Sequence, residues 1–180
     1  MIFETERLII RNYRNSDRAI IFAISAKPEV RLFHTRVVSR ARCDAFIDAQ
    51  IETLRDIGCG YAVVERKADG AVIGDVGIRP MPDDMPFSGD VHFDIGWQFD
   101  PQYFGRGYAS EAARGWLDHG FRELKIEQIV AYTATSNRAS IKVMQRIGMR
   151  RDGALDFDHP RVAEGHPLRR QIVYSAIRAR

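Results

Sequence analysis

From Val91 to Asp100 the chain alternates. Val91, Phe93, Ile95, Trp97 and Phe99 fall on one side, and His92, Asp94, Gly96, Gln98 and Asp100 on the other. That is the period of a strand with one apolar face, and Asp100-Pro101 ends it. Further on the period changes. Ala109, Ala112, Ala113, Trp116, Leu117, Gly120 and Phe121 recur at helical spacing, so they share one face of an amphipathic helix and place Trp116 and Phe121 in the core. A second helix starts at Ser39, carries Cys43, Phe46, Ile47, Gln50, Leu54 and Ile57 on one face, and stops at Gly58. An earlier one, capped by Ser16 or Asp17, reaches Ala26, where Lys27-Pro28 closes it. Leu8–Arg11, Tyr61–Arg66, Val72–Ile78 and Gln128–Thr133 read as strands, with a hairpin turn at Lys67–Gly70. Pro80–Gly89, with three prolines, is a loop. A short helix from Arg138 to Ile147, closed by Gly148, precedes strands near Arg150–Asp158 and Leu168–Ile177. The order βααβββαβαββ predicts an α+β fold with a mixed, mostly antiparallel sheet flanked by helices. No linker or repeat divides residues 1–180, so one domain is expected.

Composition narrows the function classes. Apolar residues make up 45% and charged residues 28%, the balance of a soluble globular protein. No apolar run approaches the ~20 residues of a membrane span, and the opening residues do not resemble a signal peptide, so a cytoplasmic location is expected. Cys43 and Cys59 fit a reducing compartment without a disulfide. The five scattered histidines and two cysteines show no metal-ligand spacing, so no metal is expected. The net charge is +3, but 24 acids are interspersed with 27 bases, which argues against a nucleic-acid partner. Basic clusters at Arg36, Arg40 and Arg42, at Arg146, Arg150 and Arg151, and at Arg161, Arg169 and Arg170 suit either a polyphosphate ligand or solvated surface.

Candidate chemistry centres on Gln102-Tyr103-Phe104-Gly105-Arg106-Gly107-Tyr108-Ala109, which joins the alternating strand to the long helix. Glycines allow a tight turn and close approach to a ligand. The helix start behind them offers free N–H groups and a partial positive charge, an anion site to which Arg106 adds charge. A plain turn is the alternative. A P-loop would need Gly-Lys-Ser/Thr, which is missing. A dinucleotide fold would read Gly105, Gly107 and Ser110 as a weak match and want an acid at the end of the next strand, whereas Glu127 precedes its strand.

Gln-x-x-Gly-x-Gly-Tyr-Ala-x-Glu-Ala, from Gln102 to Ala112, resembles the acyl-CoA loop of the GNAT acetyltransferases. Asp94-Ile95-Gly96-Trp97 is similar to the strand leading into it, and Thr135–Ser140 with Arg146-Ile147-Gly148-Met149 to the family's strand–Asn–helix–Gly segment. Glu6-Arg7-Leu8-Ile9-Ile10-Arg11 looks like the start of the branch with the ribosomal-protein N-acetyltransferases of the RimJ/RimL type.

The resemblance implies acetyl transfer from acetyl-CoA to a primary amine, a protein N-terminal α-amine or a small-molecule amine, by direct attack in a ternary complex. The alternative is an acyl-CoA-binding module without efficient catalysis. Gln102 and the backbone of Tyr103 to Ala109, mainly Gly105, Arg106, Gly107, Tyr108 and Ala109, would hold the pyrophosphate. Trp97, Gln98 and Phe99 would lie beside pantetheine, and Asn137 would hold that arm, with a helix N-cap as its alternative role. Many relatives protonate the leaving thiolate with a Tyr seven residues after the Asn. Here Met144 stands there, and Ser140, three after the Asn, matches the donor of the RimL-type branch. Asp94 is the candidate base, with His92 on the same face as the alternative. Acceptor contacts are expected from Lys27–Ser39, Pro80–Gly89 and Asp158–Pro167. The His- and Arg-rich stretch from Asp156 to Arg170 lines the acceptor site or is surface. A monomer or homodimer is expected.

Overall fold

The computed structural model describes residues 1–35, 37–87 and 91–179. Among the described residues nine strands form one sheet: β1 (Phe3–Glu4), β2 (Leu8–Arg11), β3 (Tyr61–Arg66), β4 (Val72–Pro80), β5 (Phe93–Phe99), β6 (Gln128–Ala134), β7 (Arg150–Arg151), β8 (Phe157–Asp158) and β9 (Arg170–Ile177). Their order is β1-β2-β3-β4-β5-β6-β9-β7, with β8 also on β9, and every pair is antiparallel except β5–β6. The expected mixed sheet is therefore present, flanked by α1 (Asp17–Ala26), α2 (Pro28–Arg31), α3 (Arg40–Ile57), α4 (Tyr108–Arg122) and α5 (Arg138–Arg146). No described helix is long and apolar enough to cross a membrane.

One sheet face is covered by α4. Its Ala112, Ala113, Trp116 and Leu117 pack on Leu8, Ile10, Val76, Ile78, Ile95 and Phe99, as the helical spacing predicted. Phe121 packs against this core while partly exposed. On the other face Ile21, Ile24, Cys43 and Ile47 of α1 and α3 cover Val63 and Tyr13. A third cluster joins Met81, Met85, Phe87 and Val91 to Val130, Phe157 and Val173. Val91 thus leaves the alternating row of which it looked to be the first member.

The structure departs from the expected elements in four places. The two-residue β1 is too short to show a period. Pro28 ends α1 but also starts the one-turn α2. Ser16 makes no side-chain cap, and Asp17 instead accepts from the Arg14 amide (2.6 Å) and takes both ends of the buried Arg11 guanidinium (2.7 and 3.0 Å). The expected strand from Arg150 to Asp158 breaks into β7, a 3-10 turn at Gly153–Leu155, and β8. Asp156 Oδ1 accepts the Val173 amide (3.1 Å), so a side chain takes the donor that a continuous ladder would use.

Candidate active site

The site forms where β5 and β6 separate. Being parallel, these neighbours run in the same direction, yet they pair only at Asp94 and Val130. From Ile95 to Phe99, β5 is bonded to β4 on one side and, among the described residues, has no strand partner on the other. Such an open backbone edge inside a sheet calls for a partner. Both strands then lead into helix starts.

Beyond β5, Asp100 organises the descent into the loop. Its Oδ1 accepts from the Gln102 amide (3.1 Å) and from Lys27 Nζ (2.7 Å), and its Oδ2 from Gln102 Nε2 (3.2 Å). The Tyr103 and Phe104 amides close onto the carbonyls of Asp100 and Pro101. Gly105 (φ 76°) and Gly107 (φ 83°) then take left-handed conformations, and Gly107 caps α4. Among the described residues, the amides of 105 to 110 donate to no protein acceptor. Six successive free donors at the start of a fifteen-residue helix make an anion nest. The structure thus moves the start of this row from Tyr103 to Gly105. It also turns Gln102, amide and side chain alike, toward Asp100, where it shapes the loop.

Beyond β6, Asn137 caps α5. Its Oδ1 accepts from the Ser140 amide (3.2 Å), while Nδ2 donates to Thr133 Oγ1 (2.9 Å) and Ser140 Oγ (3.1 Å). The cap role is therefore in place, and both amide hydrogens are used within the protein. Ser140 Oγ accepts that bond and keeps its own proton for another acceptor. Met144 is buried in the core at 1% exposure.

On the α1 side of the sheet, Tyr61 leans across Gly77 and Gly96. A Cβ on Gly96 would lie 1.8 Å from the Tyr61 hydroxyl, so a side chain there would have to displace the tyrosine ring. Asp94 does not stand free. Arg79, its partner across β4–β5, grips it through Nε (2.8 Å) and Nη2 (3.0 Å), and the carboxylate is buried. Both oxygens of the candidate base are thus engaged by a guanidinium. Tyr132 of β6 completes the cluster, its hydroxyl pushed up to about 12 by burial and the nearby Asp94 charge. Gln98 donates to Ser25 Oγ of α1 (2.8 Å). His92 is exposed ahead of β5, where its carbonyl accepts the Met81 amide (2.7 Å). Trp97 and Phe99 face the α4 core.

The His- and Arg-rich stretch borders this cluster. The His159 ring lies 6.3 Å from that of Tyr132, and Phe157 packs on Phe87 (5.0 Å). Arg161 grips Asp84 through two hydrogen bonds, tying the stretch to the loop after β4. Arg36, Ser88 and Gly89, parts of the expected acceptor segments, lie outside the described residues. Sequence reasoning missed Tyr61, Arg79 and Tyr132. No local signal marked Arg79, because a long loop between Pro80 and Phe93 separates β4 from β5 and leaves their register open.

The model of the acetyltransferase (GNAT) domain matches residues 7–150. An uncharacterized N-acetyltransferase of Bacillus subtilis, YnaD, is 30% identical over 154 residues, 85% of each chain. The structure of a GNAT-family acetyltransferase from Bacillus anthracis superposes with a TM-score of 0.77 at 26% identity, covering 97% of this chain and 96% of that one. RimL, a ribosomal L7/L12 alpha-N-protein acetyltransferase in complex with coenzyme A, shares the fold with a TM-score of 0.78 at 16% identity, covering 98% and 97%. A domain match over most of the chain, a relative of similar length and the split sheet with its glycine loop lead to one conclusion: this protein belongs to the GNAT family of acetyltransferases.

Proposed function

We propose that the protein moves acetyl from acetyl-CoA to a primary amine by direct attack. The observation that carries this reading is the row of six free amides from Gly105 to Ser110, beside the open edge of β5. The amides, with Arg106, hold the pyrophosphate, and the edge from Ile95 to Phe99 pairs with pantetheine, next to Trp97, Gln98 and Phe99. Tyr108 and Ala109 supply the first helical donors. Asn137 acts chiefly by fixing Ser140, whose free proton goes to the departing sulfur. An acyl-cysteine is not used. Burial pushes the Cys59 thiol up to about 11 and raises that of Cys43, so neither is a thiolate at neutral pH.

The pairing of Asp94 with Arg79 bears on the acceptor. Deprotonating a lysine at pH 7 costs about 4.6 kcal/mol, an α-amine about 1.1. With the carboxylate engaged, His92 or water must take the proton, and an α-amine, on a protein or a small molecule, is the acceptor that needs least help.

Thermal unfolding with and without acetyl-CoA tests the loop. At 100 times its dissociation constant the ligand adds ~2.7 kcal/mol, which raises the wild-type Tm by roughly 5–10 °C. Gly107→Glu puts a carboxylate among the amides and a side chain at φ 83°, and its Tm is expected not to respond. An unresponsive wild type would sink the reading.

Met144, in the place of the usual proton donor, favours the second reading of a binding module without efficient catalysis. Ser140→Ala separates the two. Loss of a working acid lowers kcat by about 10²-fold with the affinity for acetyl-CoA retained. An unchanged kcat removes Ser140 from the mechanism.

A further inference from the structure

The glycine loop is soft by composition. Gly105 and Gly107 both enter the positive-φ region, and glycine pays more entropy than any other residue to be held in one conformation. Within 105–107, the Gly107 carbonyl is used by α4 itself, accepting the Glu111 amide (3.0 Å). Among the described residues, one hydrogen bond reaches this stretch from elsewhere in the chain: Arg7 Nη1 donates to the Arg106 carbonyl at 3.1 Å.

That bond has a directional consequence. In a trans peptide the C=O and the following N–H point opposite ways. Holding the Arg106 carbonyl toward Arg7 therefore sends the Gly107 N–H away from Arg7. Arg7 is itself fixed. Its Nε donates to Glu111 Oε2 (2.6 Å), its backbone amide to Glu111 Oε1 (2.8 Å), and its guanidinium lies 4.5 Å from the centre of the Tyr108 ring. Thr5 Oγ1 adds a third bond to Glu111 (2.6 Å). Glu111 sits one helical turn after Gly107, so its charge lies close to where an anion would bind. Burial works against that charge, but the bonds from Thr5 and Arg7 outweigh it and hold the carboxyl below its ordinary value. Arg7 thus aims the loop and neutralises the one acid in the first turn of α4.

We infer that Arg7, braced by Glu111, is a positioning residue for the anion loop, fixing the Arg106–Gly107 peptide so that the free amides face the pyrophosphate. The inference rests on the reading of this loop as the pyrophosphate site. Lysine does not replace the arginine, because its donors all sit on one nitrogen, whereas Arg7 reaches Glu111 through Nε and the Arg106 carbonyl through Nη1.

The test is calorimetric binding of two probes, acetyl-CoA and S-acetylpantetheine, which has no pyrophosphate. Wild type, Arg7→Met, Arg7→Lys, Glu111→Gln and the Arg7→Met/Glu111→Gln pair are compared, with Tm as a check on folding. Arg7→Met is expected to weaken acetyl-CoA roughly 10-fold, the scale of one hydrogen bond involving a charged group, and to leave S-acetylpantetheine unchanged. Arg7→Lys does not restore affinity. Glu111→Gln weakens acetyl-CoA in the same direction, and the double variant is no worse than Arg7→Met, because both act through one peptide. Wild-type affinity in Arg7→Met overturns the inference. So does an unaffected Glu111→Gln, which would make Arg7 a direct phosphate contact. If Arg7→Met does not fold, Glu111→Gln decides alone. A wild type that binds both probes equally well overturns the loop reading and this inference with it. A discriminating wild type with an equally discriminating Arg7→Met overturns the inference alone.

Discussion

Arg79→Met lowers the unfolding free energy by about 2–3 kcal/mol, a fall in Tm of roughly 4–12 °C for a chain of this size. The physical cause is the carboxylate left behind. Asp94 is 3% exposed and both its oxygens receive hydrogen bonds from the guanidinium. Without Arg79 a buried charge is left without its counter-charge, which costs ~3–5 kcal/mol when both partners are fully buried. The lower figure applies because the Arg79 side chain retains 32% exposure and is partly screened. Removing both charges, in Arg79→Met/Asp94→Asn, recovers most of the loss. Denaturant unfolding of the two single variants and the double variant measures the pair directly. The same variants bear on mechanism. Under the proposed mechanism, in which His92 or water takes the proton, Asp94→Asn is expected to keep kcat within a few-fold, because Arg79 engages both carboxylate oxygens. A loss of ~10²-fold in Asp94→Asn, with Arg79→Met still active, would return Asp94 to the role its sequence position suggests.

Asp75→Asn changes how stability depends on pH. Asp75, on β4, is 2% exposed and takes a hydrogen bond from the Tyr13 hydroxyl (3.1 Å). Burial pushes its carboxyl up to about 7, and the Tyr13 bond opposes this only in part. In the unfolded chain the group titrates near 3.9. Between these values the folded protein holds a proton that the unfolded chain has released. Stability therefore falls as pH rises through that window and levels off above it. From pH 5 to pH 8 the wild type should lose about 2–3 kcal/mol relative to Asp75→Asn, whose neutral amide does not titrate. Acids held low by their partners, such as Asp17 beside Arg11 and Asp100 beside Lys27, push the other way in both proteins and cancel in the difference. A constant difference across this range would mean that Asp75 stays ionised in the folded protein.

The features that could be read from the chain alone are those whose cause is local. The helical period of α4, the apolar side of β5 and the left-handed glycines before Tyr108 each depend on a few neighbouring residues. The order of the main elements followed from them, and so did the place of the glycine loop between β5 and α4. Where the period misled, a side chain had captured a backbone group, as Asp156 does with the Val173 amide. The length of chain that presents free amides was also decided in three dimensions, because Asp100 and Pro101 consume the donors before Gly105.

The polar side of β5 shows the boundary most clearly. Alternation set Asp94 opposite the apolar row, but it cannot say what meets it there. Register across β4 places Arg79 beside it, and a shift of one residue would have turned a different side chain to that face. Likewise Asn137 was legible as a helix cap, while its hold on Thr133 and Ser140 depended on how β6 enters α5. Arg7 and Glu111 stand 104 positions apart, and only the packing of the first turn against α4 brings them together. A chain's own periodicity determines which elements form and which faces are apolar, because burial acts on each face as a whole. The partner of each polar group is decided by tertiary structure, because hydrogen bonds are short and directional, and an ångström of register changes who can make them.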